Sequence, residues 1–82
     1  MIINKKDLKK ISDKILLKAI KILKRLDTAT KNNLNIDKDV ISIKVNNQYR
    51  ILYRASTQIE ARLLKHNDYN RVINAKYVYN IK

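Results

Sequence analysis

Cysteine, glycine and proline are all missing from this chain of 82 residues, and each absence removes a class of explanation. Without cysteine there is no disulfide and no thiolate metal site, so stability has to come from packing. The composition fits an intracellular, cytoplasmic protein better than a secreted one. Without glycine, a glycine loop cradling a phosphate is excluded. No linker or boundary is signalled and no repeat or low-complexity segment is found, so the chain reads as one domain over 1–82. Histidine occurs once and the carboxylates are scattered, which cannot make a convincing set of metal ligands; neither metal nor cofactor is expected. The apolar stretches are interrupted by lysine every few residues and none nears the roughly 20 residues that cross a bilayer. Met1-Ile2-Ile3 leads straight into Asn4-Lys5-Lys6, unlike a signal peptide.

Acidic residues are also few. Seven Asp and Glu stand against nineteen Lys and Arg, for a formal charge of +12. A polyanion is the implied partner, with nucleic acid first, an acidic protein second and an anionic membrane third. AT-rich coding bias is the competing account of the lysines. It explains the arginines badly, because Arg50, Arg54, Arg62 and Arg71 all fall in the second half and only Arg25 in the first.

The first part of the chain has helical spacing. Asn4 is a cap candidate with Asp7 at the third helical position, a capping-box pattern with Asp in place of Glu. Leu8, Ile11, Ile15, Ala19, Ile22 and Leu26 then define one apolar face, widened by Leu16, Ile20 and Leu23. Ser12 is a good N-cap, and a break there makes a helical hairpin within about 4–30. Lys14, Lys18, Lys21 and Arg25 form a stripe opposite the apolar face. It is either a solvated face or a rail for a phosphate backbone.

Residues 28–38 read as a loop with room for a turn of helix. From Asp39 the period becomes two, and residues 39–66 read as an antiparallel three-stranded meander. Ile41, Ile43 and Val45 oppose Val40, Ser42 and Lys44. Asn46-Asn47 is the next turn, with asparagine expected to take the left-handed conformation in place of glycine. On the central strand Tyr49, Ile51 and Tyr53 alternate with Arg50, Leu52 and Arg54, and the tyrosines are assigned to the core. After Ser56-Thr57-Gln58, the buried positions Ile59, Ala61 and Leu63 alternate with Glu60, Arg62, Leu64 and His66. In the register this implies, Arg50, Arg54, Arg62 and His66 share the surface away from the helices, which is expected to be open. Residues 66–71 are expected to form a turn or one helical turn, and 76–81, with Tyr77 and Tyr79, a short strand or tail. The expected fold is therefore α+β, a helical hairpin on one face of a small antiparallel sheet.

The amphipathic first half, the strand YRILYR (Tyr49 to Arg54) and the ending LLKHNDYNRV (Leu63 to Val72) together resemble the RelE/ParE superfamily of toxins from toxin-antitoxin pairs. HNDY, His66 to Tyr69, is most similar to the histidine-containing ending of the YafQ-like and other ribonuclease branches. The likeness runs from Lys5 to about Ile73. Two positions depart from the pattern. Only Met1 to Ile3 stands where members carry a full first strand, so the expectation is either a sheet that lacks one edge strand or a short reading frame. Asn47 or Gln48 stands where a glycine is common.

The resemblance implies cleavage of messenger RNA on the ribosome, by attack of a ribose 2′-hydroxyl on the neighbouring phosphate without a metal. Such a reaction needs a base, an acid and cations around the phosphorane. On this reading Arg50 stabilises the phosphate through its planar fork, supported by Arg54 or Arg62. His66 is acid or base, since an ordinary imidazole pKa of about 6.5 suits either role. Tyr69 stacks on a base or assists proton transfer, Asp68 orients the imidazole, and Lys44, Lys65 and Arg71 add RNA contacts. Arg50 and Arg54 have a second reading, as the seat of an acidic antitoxin segment that folds on binding. The competing functions are a ParE-like inhibitor of DNA gyrase without catalysis, and a basic phage or plasmid module that binds nucleic acid or protein by charge.

Overall fold

A computed structural model of the protein describes residues 1–74 and 80–82. Asn4 opens the first helix as its side chain accepts from the Lys6 amide at 2.8 Å, and α1 runs over Lys5–Leu8. Ser12 starts the second, its Oγ accepting from the Ile15 amide at 3.4 Å, and α2 spans Asp13–Lys24. The expected break at Ser12 is therefore present, because a hydroxyl there satisfies an amide that would otherwise lack a partner. Asp7 does not complete a capping box. Its carboxylate turns to the sheet.

Five strands make one sheet: β1 (Ile2–Ile3), β2 (Asn32–Asn33), β3 (Val40–Lys44), β4 (Tyr49–Arg54) and β5 (Glu60–Lys65), in the order β1-β5-β4-β3-β2. The expected meander is β3, β4 and β5, paired antiparallel. Two short edges were not expected. β1 pairs parallel to β5 at Glu60 and Ala61, so the sheet is mixed and an edge strand is present in stub form. β2 lies within the segment read as a loop and pairs with Ser42 and Ile41. Two-residue strands are below the length at which alternation is visible in a sequence.

The turn at Asn46-Asn47 also differs from expectation. Among the described residues only Gln58 has a positive φ, at 49°. Asn46 closes the turn with its side chain, as its Oδ1 accepts from the amides of Gln48 and Tyr49, each at 2.8 Å. An asparagine amide can replace the backbone carbonyl of a turn, so no left-handed residue is needed there.

One face of the sheet carries Ile41, Ile43, Val45, Ile51, Tyr53, Ala61 and Leu63, packed on Ala19, Ile15 and Ile22 of α2. Ala19 is fully buried, which lets the helix backbone approach the strands. The other face is not open as the alternation suggested. Val40, Leu52 and Leu64 form a second buried cluster with Leu34 and Ile81, and Tyr69, Val72 and Ile73 pack against it. They belong to α3 (His66–Asn74), nine residues where one turn at most was expected. A three-residue apolar patch on a sheet is too costly to leave wet, and the sequence after β5 supplies its cover. The strand or tail expected at 76–81 lies largely outside the described residues. Ile81 is buried in the second cluster, and the Thr57 hydroxyl donates to the Lys82 carbonyl. No helix among the described residues is long and apolar enough to cross a membrane.

Candidate functional site

The register puts Arg50, Leu52 and Arg54 of β4 on the face they share with Lys44, Ser42 and Val40 of β3 and with Leu64 and Arg62 of β5. The expected convergence of arginines on one face is therefore seen, but the three have different surroundings. Arg54 donates from Nη1 to Asp37 Oδ2 at 3.0 Å and Asp39 Oδ2 at 3.3 Å, and from Nε to the Ile81 carbonyl at 2.9 Å. Its guanidinium is held above the ordinary arginine range, chiefly by the Asp37 hydrogen bond, with burial opposing. Asp39 in turn accepts from the Ser56 hydroxyl at 2.6 Å and the Ser56 amide at 3.0 Å. The Ser56 hydroxyl bond is the main reason its carboxyl sits below the usual range; burial opposes and Arg54 adds to the lowering.

Arg62 forms a two-pronged pair with Asp7, Nε to Oδ2 at 2.8 Å and Nη2 to Oδ1 at 3.1 Å, while the Leu63 amide donates to the same Oδ2 at 3.0 Å. The Asp7 bond is the main reason the Arg62 guanidinium is raised above its ordinary range, again against burial. Three donors thus fix one carboxylate against the edge of β5. In this way α1, which has no buried residue of its own, is fastened to the sheet.

Arg50 differs from both. It donates from Nη1 to the carbonyls of Asn46 at 2.7 Å and Tyr49 at 3.1 Å, and no carboxylate pairs with it among the described residues. Lys44 stands directly opposite on β3 and is exposed. Like charges facing each other across strands are unfavourable unless an anion lies between them.

His66 is the first residue of α3 and is exposed. Its amide donates to the Gln48 carbonyl at 2.7 Å, which extends the β4–β5 ladder one step past the Tyr49–Lys65 pair. Asp68, in the first turn of α3, and Arg71, in its last, are exposed, whereas Tyr69 is half-buried with its hydroxyl 3.3 Å from Ser42 Oγ. Tyr53 is core, and burial raises its phenol above the ordinary value; Tyr49 is half-buried against the first cluster. No group of three acidic or histidine residues suited to a cation occurs among the described residues.

Beside these residues a cleft of about 620 Å³ opens between α1, the edge of β5 and α3, with Arg62, Lys65, Asp68 and Arg71 among its lining. Reasoning from the sequence did not identify Asp7, Asp37 and Asp39 as the partners of the arginines. Their rarity was a usable signal, since three of only seven acidic residues in so basic a chain hold two arginines.

Fold and charge together define a small cationic α+β protein whose sheet carries arginines on one face. The family model for the ParE-like toxin domain matches residues 13–71, most of the chain, and the chain belongs to that family. It is thus a RelE/ParE superfamily toxin of the toxin-antitoxin kind, with an antitoxin as its implied partner. Neither the curated proteins nor the solved structures give a match.

Proposed function

We propose that the toxin is a metal-independent endoribonuclease that cuts messenger RNA on the ribosome and so blocks translation. The observation that carries this reading is Arg50, a guanidinium without a carboxylate partner among the described residues and faced by Lys44. Arg54 and Arg62 serve the scaffold in this proposal, because their forks are already occupied by aspartates. Arg50 receives the scissile phosphate, with Lys44 beside it and Lys65 and Arg71 along the RNA.

The 2′-hydroxyl loses its proton to a base as its oxygen attacks phosphorus. The bond from phosphorus to the 5′-oxygen breaks, and that oxygen takes a proton from an acid. A 2′,3′-cyclic phosphate and a 5′-hydroxyl remain. His66 is assigned one of the two proton transfers, and the hydrogen bond from its amide to the Gln48 carbonyl ties the start of α3 to the residue before the strand that bears Arg50. Tyr69, bonded to Ser42, is assigned to base contact or proton transfer beside it.

A translating extract supplied with the toxin should yield messenger fragments with cyclic phosphate ends. Cleavage should disappear in His66→Ala and in Arg50→Ala while both variants stay folded. Intact messenger in the presence of folded, growth-arresting protein overturns the reading.

Inhibition of DNA gyrase is the second reading, favoured by the capture of Arg54 and Arg62. It needs no acid or base. A supercoiling assay separates it from the first, since His66→Ala would then leave inhibition intact.

A further inference from the structure

Asp68 is the acid that the proposed chemistry leaves without a task. It belongs to α3 and lines the cleft of about 620 Å³ beside the β5 edge, on the same side of the helix as Arg71 and Val72 at the i+3 and i+4 positions. Residues two apart on a helix do not share a side, so its carboxylate faces the cleft rather than His66. It is exposed, and among the described residues it joins no ion pair although Lys65 and Arg71 line the same cleft.

The other polar side chains of the cleft are either satisfied or cationic. Asp7, only 7% exposed, already accepts two donors from Arg62 and one from the Leu63 amide, which also fills the Arg62 fork. Ile11, Leu63, Val72 and the half-buried Tyr49 give an apolar bed. Lys65 and Arg71 on one wall and Lys6 and Lys10 on the other carry positive charge. An apolar bed between cations, with one open carboxylate, suits a nucleotide: ring on the bed, phosphates on the cations, base edge on the carboxylate. The cavity lies within the size range that small ligands occupy.

A carboxylate accepts hydrogen bonds and does not donate them. Guanine alone among the four RNA bases offers it two neighbouring donors, N1–H and the N2 amino group, spaced for the two oxygens of one acid. Adenine and cytosine set a ring-nitrogen acceptor beside their amino group, and uracil sets a carbonyl on each side of N3–H, so each turns a lone pair towards the acid. We propose that the cleft is a guanine-selective nucleotide subsite and that Asp68 is the residue that selects. The place of that nucleotide in a messenger, beside the cut phosphate, rests on the ribonuclease reading; the subsite itself does not.

The test is an amide-resolved NMR titration of the full chain with the 5′-monophosphates of guanosine, inosine, adenosine, cytidine and uridine. Guanosine monophosphate is expected to shift the amides of Leu63, Lys65, Asp68 and Val72. It should bind about fivefold or more tighter than each of the others, inosine monophosphate included because that base lacks the N2 amino group. Asp68→Ala should bring all the nucleotides to one affinity, whereas combined Lys65→Ala and Arg71→Ala should weaken every one and keep their order. Unchanged amide dispersion in each variant excludes unfolding. No binding, equal binding of all the nucleotides by the unaltered chain, a guanine preference that survives Asp68→Ala, or shifts confined to α2 overturns the proposal. A chain that selects guanosine monophosphate here but cuts no messenger keeps the subsite and loses the ribonuclease reading. Cleavage whose base preference is untouched by Asp68→Ala does the reverse.

Discussion

Asp7 and Arg62 are 55 positions apart in the chain, yet their side chains meet twice, at 2.8 and 3.1 Å, with the Asp7 side chain 7% exposed. This pair ties the short first helix to the sheet, beside the Asn4 side chain that donates to Glu60 at 3.1 Å. Replacing Asp7 by alanine strands the Arg62 fork and the Leu63 amide together. A loss of about 1–3 kcal/mol is expected in urea unfolding, and Asp7→Asn should lose less because an amide oxygen still accepts from Leu63.

The arginines of the shared face should divide in mutagenesis. Arg50→Ala is expected to lower activity about 100-fold or more, as removal of a phosphate donor does, with stability changed by no more than about 0.5 kcal/mol. Arg54→Ala and Arg62→Ala should reduce melting temperature first and activity only in proportion to the folded fraction. Parallel melting and cleavage assays check the division.

The second core makes α3 part of the fold. Leu64 is 5% exposed beneath it. Truncation to alanine should cost about 2–4 kcal/mol and selectively reduce hydrogen-exchange protection in α3.

Acid should attack the cluster around Arg54. The Asp39 carboxyl is lower in the folded state than the unfolded value of about 3.9, so its contribution is complete above that value and is lost as pH falls through the folded one. Urea midpoints measured from pH 5 downward should decline below about pH 4, and Asp39→Asn should flatten that decline.

Alkali acts on the other core. Tyr53 is raised by burial, so its contribution is complete below the unfolded phenol value of about 10 and is lost as pH rises towards the folded one. Ultraviolet titration should show one tyrosine ionising late, and Tyr53→Phe should remove that step.

The amino-acid order alone was enough for the meander, the cap at Ser12 and the sharing of one face by Arg50, Arg54 and Arg62. Period-two alternation and a hydroxyl before a helical stripe are local signals, read over a few neighbouring positions. The motifs of the second half likewise pointed to the toxin family. Local order did not disclose that the arginine face is partly roofed by α3, that β1 and β2 exist as stubs, or that Asn46 turns through its side chain. The resemblance placed Arg50 at the phosphate, but local order did not show how Arg54 and Arg62 differ from it. All three arginines look alike in sequence, and only the folded chain brings Asp7, Asp37 and Asp39 from distant positions to two of them. Pairing of charges across such separations depends on which backbone segments come to lie side by side, and that is settled by the packing of both cores at once.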